Sequence, residues 1–230
     1  MPENEKGMLD VSVREARGVV ADLLEKLGGP DGREWFIAAK RFLRKEEPWG
    51  WKADWERFYK ELFGLEINLS GLVIPAKKKG FDRLIVVAPG MTPQRLYGRC
   101  SKLFPCWTWL VSKSFDEAIA PSDRVAGERA YAIWIRDRIT SDEELIGFSA
   151  SALEEKGVPG ITLEERLIYE LKFFKETKRH LDVVSWTLCS GSRYFDGRVP
   201  EVSWAGNELW VGWRKPDFVD SYWRSREVVS

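Results

Sequence analysis

The chain has 230 residues with 36 Lys plus Arg against 36 Asp plus Glu, so it is neutral overall and offers no electrostatic reason for nucleic acid as the main partner. It is long enough for one large domain or a compact domain with a smaller attachment. Its 12 Trp and 12 Phe are an unusual aromatic content, of the kind that serves both cores and interfaces.

The N-terminus, Met1-Pro2-Glu3-Asn4-Glu5-Lys6, lacks the basic-then-apolar plan of a signal peptide. No apolar run is long enough for a bilayer. The expected location is therefore cytoplasmic or virion-associated, without membrane insertion. Ser12 and Glu15 fit a capping box that opens a first helix. Val13, Ala16, Val20, Leu23, Leu24 and Leu27 follow on one helical face, and Gly28-Gly29-Pro30 ends it. A second helix is expected from Asp31 to before Pro48, and a third over Ala53 to Phe63 with Gly64 as its stop. The basic set Lys40, Arg41, Arg44 and Lys45 reads as a solvated helix face, with a contact surface as the rival reading. Residues 1–78 are expected to form a small N-terminal helical unit.

The pattern changes after Lys77-Lys78-Lys79-Gly80. Leu84 to Val87 reads as a short buried strand, and Thr92-Pro93 opens a helix with Leu96, Cys100, Leu103 and Phe104 inward. Trp107 to Val111 reads as a strand, Ser114 to Glu117 as a capped short helix, and Tyr131 to Ile135 as another strand. Thr162-Leu163-Glu164-Glu165 caps the clearest helix, which runs to about Arg179. Beyond Leu181 the helical period disappears. Val183–Leu188, Val199–Trp204, Leu209–Trp213 and Arg226–Val229 read as short strands between Gly-, Asn-, Asp- and Pro-rich turns, which predicts antiparallel sheet.

Few residues invite a catalytic reading. His180 is the only histidine and sits at a helix end, where the helix dipole explains it. Cys189-Ser190-Gly191-Ser192 lacks the pattern of a nucleophile elbow and reads as a turn. Val87-Ala88-Pro89-Gly90-Met91-Thr92 lacks a phosphate-loop signature. Glu164/Glu165 and Glu154/Glu155 complement helix starts. Cys100, Cys106 and Cys189 are odd in number with no metal-like spacing, and are expected reduced and mostly buried. No metal or cofactor is expected.

The C-terminal aromatics differ. Tyr194, Phe195, Phe218 and Tyr222 fall in turn-like contexts beside Gly, Ser, Asp and Arg, the composition of a binding loop. Trp204 and Trp213 fall in strand-like runs and are assigned to packing.

Leu188-Cys189-Ser190-Gly191-Ser192-Arg193, Asp196-Gly197, Val199-Pro200, Trp204 and the ending Arg224-Ser225-Arg226-Glu227-Val228-Val229 resemble variable proteins of diversity-generating retroelements, of the archaeal and archaeal-virus kind. Tyr131 to Arg138, Gly160 to Arg166 and Tyr169 to Lys172 are similar too, so the resemblance spans about Phe81 to Ser230. It implies an α+β, C-type-lectin-like domain over 79–230 with short antiparallel strands and two main helices. It also implies a variable region over about 188–230 that a partner reverse transcriptase rewrites at template adenines. Adenine changes in an Asn codon reach Tyr194, Phe195, Arg198, Ser203, Ala205, Gly206, Gly212, Arg214, Asp217, Phe218, Asp220, Ser221 and Tyr222, which become the candidate ligand-binding set. They never give Trp, Glu or Lys, so Glu201, Trp210, Lys215 and Trp223 are fixed or arise from other codons. Cys189, Gly191, Arg193, Gly197, Pro200, Trp204, Trp213, Arg224 and Arg226 are expected to form the fixed frame. The chain departs from relatives that end in Gly-Phe-Arg, and it carries no evident calcium signature. The expected role is ligand binding rather than catalysis, with a macromolecular, protein ligand. The alternatives are an enzyme on the same fold acting through a reactive cysteine, and an interaction protein docking through its N-terminal helices.

Overall fold

A computed structural model describes residues 13–33, 35, 36, 39, 50–110 and 114–230. The chain forms two compact units, Met1–Asp54 and Trp55–Ser230. In the smaller, α1 (Val13–Leu27) ends where Gly28 and Gly29 turn their amides back onto the carbonyls of Leu24, Glu25 and Lys26. The expected cap at Ser12, most of the second helix, and the basic set Lys40, Arg41, Arg44 and Lys45 lie outside the described residues.

The expected boundary at 78/79 is replaced by one at 54/55. The reason lies in α2 (Trp51–Phe63). Its Phe58 and Tyr59 are fully buried, and the Tyr59 hydroxyl donates to Val86 O at 2.6 Å while accepting from Ala88 N at 3.1 Å. Such a side chain belongs to the core that contains Val86, whatever its place in the sequence.

The larger unit is α+β. β1 (Arg83–Val87) pairs antiparallel with β3 (Tyr131–Ile135), Ile85 opposite Ile133. A bridge from Trp134 to Val229 brings the C-terminal residues beside β3. The two main expected helices are present. α3 (Pro93–Cys100) starts at Thr92, whose hydroxyl accepts from Arg95 N. α6 (Leu163–Thr177) carries the full capping box, Thr162 to Glu165, and ends on Lys178 in the left-handed conformation. α4 (Phe115–Ala118) follows the Ser114 cap. A fifth helix, α5 (Ala150–Glu155), was not expected; Ser149 caps it.

The second sheet has strand order β2-β6-β5-β4-β7, from β2 (Cys106–Thr108), β4 (Trp186–Leu188), β5 (Val199–Ala205), β6 (Glu208–Arg214) and β7 (Trp223–Arg224). β5 and β6 form a hairpin whose two-residue turn, Gly206-Asn207, has φ of 60° and 66°, the mirror-image turn that matches strand twist. Antiparallel pairing is only part of the pattern: β2–β6 and β4–β7 are parallel. Both parallel partners are far apart in sequence, which leaves the chain room for the crossover that parallel neighbours need. One face of this sheet packs inward, with Val202, Leu209 and Val211 fully buried and Trp204 against Phe104 and His180. Fully burying each such aliphatic side chain contributes about 1.5–3 kcal/mol. No described helix is long and apolar enough to cross a membrane.

Candidate functional site

The opposite face of the five-stranded sheet carries the candidate site. Pairing aligns Trp107 with Trp210, Trp210 with Ser203, and Trp186 with Trp223. Continuing the β4–β5 register places Trp186 opposite Ser203. Directly opposed residues share a face, so four tryptophans fall in one cross-strand row with a small residue at its centre. The Trp107 and Trp210 rings are 4.1 Å apart and those of Trp186 and Trp223 are 5.5 Å apart and nearly parallel. A groove of about 560 Å³ is walled by Trp109, Trp186, Trp210, Trp213 and Trp223 with Ala205, Glu201 and Arg214. One end of the face is closed by the cluster of Ala150, Leu188 and Val199, against which Trp223 packs.

Glu201 is the polar floor of the groove. It lies opposite Gly212, and a side chain at Gly212 would meet Glu201 Oε1 at 2.8 Å, so the glycine makes the room that the carboxylate fills. The Trp223 Nε1–H donates to Oε2 at 2.5 Å and Arg214 Nε lies 3.2 Å from the same oxygen. Burial pushes the Glu201 pKa up to about 7, against the opposing pull of Arg214 and the indole N–H. Between the ordinary value of 4.5 and 7 the folded chain therefore holds a proton that the unfolded chain has released, and stability falls as pH rises through that window. Tryptophan emission is expected to titrate with a midpoint near pH 7, and Glu201→Gln is expected to remove that step. A fluorescence titration of both proteins checks this; an unchanged step in the variant contradicts it.

A second groove of about 280 Å³ shares Trp109 and Trp213 with the first and adds Phe195, Asp196 and Arg198. The Arg198 guanidinium sits 3.6 Å over the Trp213 ring and pairs with Asp196. Trp213, expected as packing alone, thus walls both grooves.

The thirteen codon-reachable residues divide. Phe195, Arg198, Ala205 and Arg214 line the grooves. Gly206 is exposed in the β5–β6 turn, and Asp217, Phe218, Asp220, Ser221 and Tyr222 occupy the β6–β7 connection, where Phe218 packs edge-on against Trp223. Three do not fit the expectation. Tyr194 is buried, bridged to Ile119, with its hydroxyl 3.4 Å from Gly212 O. Ser203 is buried, its hydroxyl within reach of Asp182 O and Ser185 O at 2.9 and 3.0 Å. Gly212 is buried against Glu201. The turn-like context of Tyr194 reflects local chain direction and the codon reachability of Ser203 and Gly212 reflects residue type, and neither determines what packs over them. Sequence reasoning also missed Glu201 and the tryptophan row; only the cross-strand register brings those residues together.

Of the fixed-frame residues, Cys189, Gly191, Pro200 and Arg226 are buried, Arg193, Trp204, Trp213 and Arg224 are half-buried, and Gly197 is exposed in its turn, contrary to expectation. Arg226 donates to Asp182 at 2.8 Å, to Thr187 at 3.1 Å and to the carbonyls of Arg138 and Ile139. Asp182 also accepts from Arg166, Ser185 and Thr187. Gly191 touches the backbone of Gly160, where an added Cβ would lie 2.5 Å from the carbonyl oxygen. The Cys189–Ser192 turn is tied down rather than open: Ser190 shares a hydrogen bond with Ser225, and Ser192 with Ser122 and the Leu163 amide. His180 stacks on Trp204 with ring centroids 3.3 Å apart and its Nδ1 is 2.8 Å from Glu170, a packing role beyond the dipole one expected.

Burial pushes the thiols of Cys100, Cys106 and Cys189 up, Cys106 to about 11, which disfavours the thiolate that nucleophilic chemistry uses. Cys100 and Cys189 are buried and Cys106 is half-buried. Among the described residues no group of three His, Cys, Asp or Glu side chains is placed to hold a metal ion. No protein-family model, curated protein or solved structure matches the chain.

Proposed function

We propose that this chain is a ligand-binding protein that displays a diversified C-terminal surface on a C-type-lectin-like scaffold. The observation that carries the reading is a partial separation of two residue sets along one short stretch of sequence, with codon-reachable Tyr194, Ser203 and Gly212 buried and frame residue Gly197 exposed as its exceptions. Residues that adenine changes in an Asn codon reach, Phe195, Arg198, Ala205, Arg214 and the set from Asp217 to Tyr222, edge the tryptophan grooves or lie in the β6–β7 connection. Frame residues Cys189, Gly191, Pro200 and Arg226 are buried between them. The return of the C-terminal residues to β3 and the hairpin-centred second sheet support the lectin-like part of the reading.

Half-buried tryptophans suit this role. They give rigid contact area at small entropic cost, while exchangeable neighbours adjust hydrogen bonding and charge. The ligand is proposed to be a protein surface. The neighbouring DNA tests the origin of the variation. A near-copy of the coding region for residues 190–226, differing mainly at template adenines beside a reverse transcriptase gene, is expected. A neighbourhood lacking both would remove diversification from the account and leave an invariant binding module.

A further inference from the structure

The groove already contains a cation supplied by the chain itself. The Arg214 guanidinium lies 4.9 Å from the Trp223 ring centroid and 5.2 Å from that of Phe218, and its Nε is 3.2 Å from the Glu201 carboxylate. Aromatic faces beside a carboxylate are the two elements that recognise an organic cation. The latch on this internal cation is loose. Arg214 Nε makes no hydrogen bond despite its distance from Glu201 Oε2, and among the described residues the guanidinium's hydrogen bond, from Nη1, goes to the carbonyl of its own neighbour, Trp213. A third of the side chain is solvent-exposed. Meanwhile the carboxylate is buried and held at one oxygen: Trp223 donates to Oε2, and among the described residues Oε1 accepts no hydrogen bond.

We propose that Glu201, Trp223 and Phe218 form a cation cage that Arg214 plugs, and that a ligand bearing an alkylguanidinium or alkylammonium group, such as an arginine or lysine side chain of a protein, binds there by displacing Arg214. The residue at 214 then sets the ligand class. Arginine presents its own cation outward when displaced, whereas a small residue leaves an open cage of the same walls. Glu201 and Trp223 lie outside the codon-reachable set, whereas Arg214 and the third wall, Phe218, lie inside it, so a substitution at 214 alone exchanges specificity while Phe218 is kept. The inference rests on the groove being the ligand surface, not on how its residues came to vary.

The test titrates methylguanidinium, with uncharged methylurea as its shape control, into the parent protein, Arg214→Ala, and Arg214→Ala combined with Glu201→Gln. The pH is held well above the Glu201 titration, because loss of Arg214 removes a charge that favours the ionised carboxylate. Binding is read from the indole N–H resonance of Trp223. Removing the plug is expected to tighten methylguanidinium binding roughly tenfold, the scale of one partly desolvated cation–π contact. Methylurea is expected not to compete, and the double variant to lose the gain. Arg214→Gln, which keeps the stem and removes the charge, replaces Arg214→Ala if the latter unfolds. Equal binding by parent and plug-less variant, equal binding of methylurea, or an undiminished gain in the double variant each overturns the proposal. Fold-neutral exchange of the exposed loop residues is measured separately, so a failed cage leaves the display reading standing.

Discussion

Asp182→Asn is expected to destabilise the protein by about 3–5 kcal/mol, the loss that follows when one partner leaves a buried ionic cluster and the other charges stay. Asp182 is fully buried and meets Arg166 at 2.9 Å and Arg226 at 2.8 Å. Its φ of 55° is a left-handed conformation that asparagine also accepts, so the substitution removes charge with little change of shape. Burial alone would raise the Asp182 pKa, but Arg226 and Arg166 hold it below the ordinary 3.8. The folded value is depressed, so the contribution is present above the unfolded value and disappears as pH falls through the folded one. Urea unfolding of both proteins at neutral pH checks the loss. Asp196→Asn, at the exposed end of the Arg198 pair, is expected to show none. A similar loss in the two variants would contradict the buried-hub account.

The second large effect separates two neighbours. Tyr194→Ala is expected to cost about 3–5 kcal/mol, as for other buried aromatics truncated to alanine. Phe195→Ala, at a position 69% exposed, is expected to stay within about 0.5 kcal/mol. The pair decides whether the variable segment alternates between scaffold and surface residue by residue. Equal costs at both positions would contradict that.

Local signals in the sequence carried much of the fold. The Thr162 and Ser114 caps, the stripe from Leu163 to Phe174 and the strand Tyr131–Ile135 were each set by neighbours a few residues apart, and each is found where that pattern puts it. Arg226, marked as frame, is buried in the Asp182 hub. What depended on distant partners was not legible. β2 and β7 join the sheet in parallel through segments tens of positions away. Tyr59 commits its helix to the larger unit through a hydrogen bond spanning 27 positions. Glu201 is an ordinary strand glutamate by pattern; its role comes from Gly212 opposite and Trp223 two strands away. Tyr194, Ser203 and Gly212 were read as surface because codon chemistry selects residues by type, whereas burial is decided by what packs over them.

The central claim is that the C-terminal stretch interleaves replaceable surface residues with an unreplaceable frame. Two libraries measure it directly. One randomises Phe195, Arg198, Ala205, Asp217, Ser221 and Tyr222; the other randomises Tyr194, Ser203, Gly212 and Gly191. The readout is the fraction of members that resist proteolysis when displayed. The account predicts a largely folded first library and a largely unfolded second. A first library that collapses as fully as the second would contradict it.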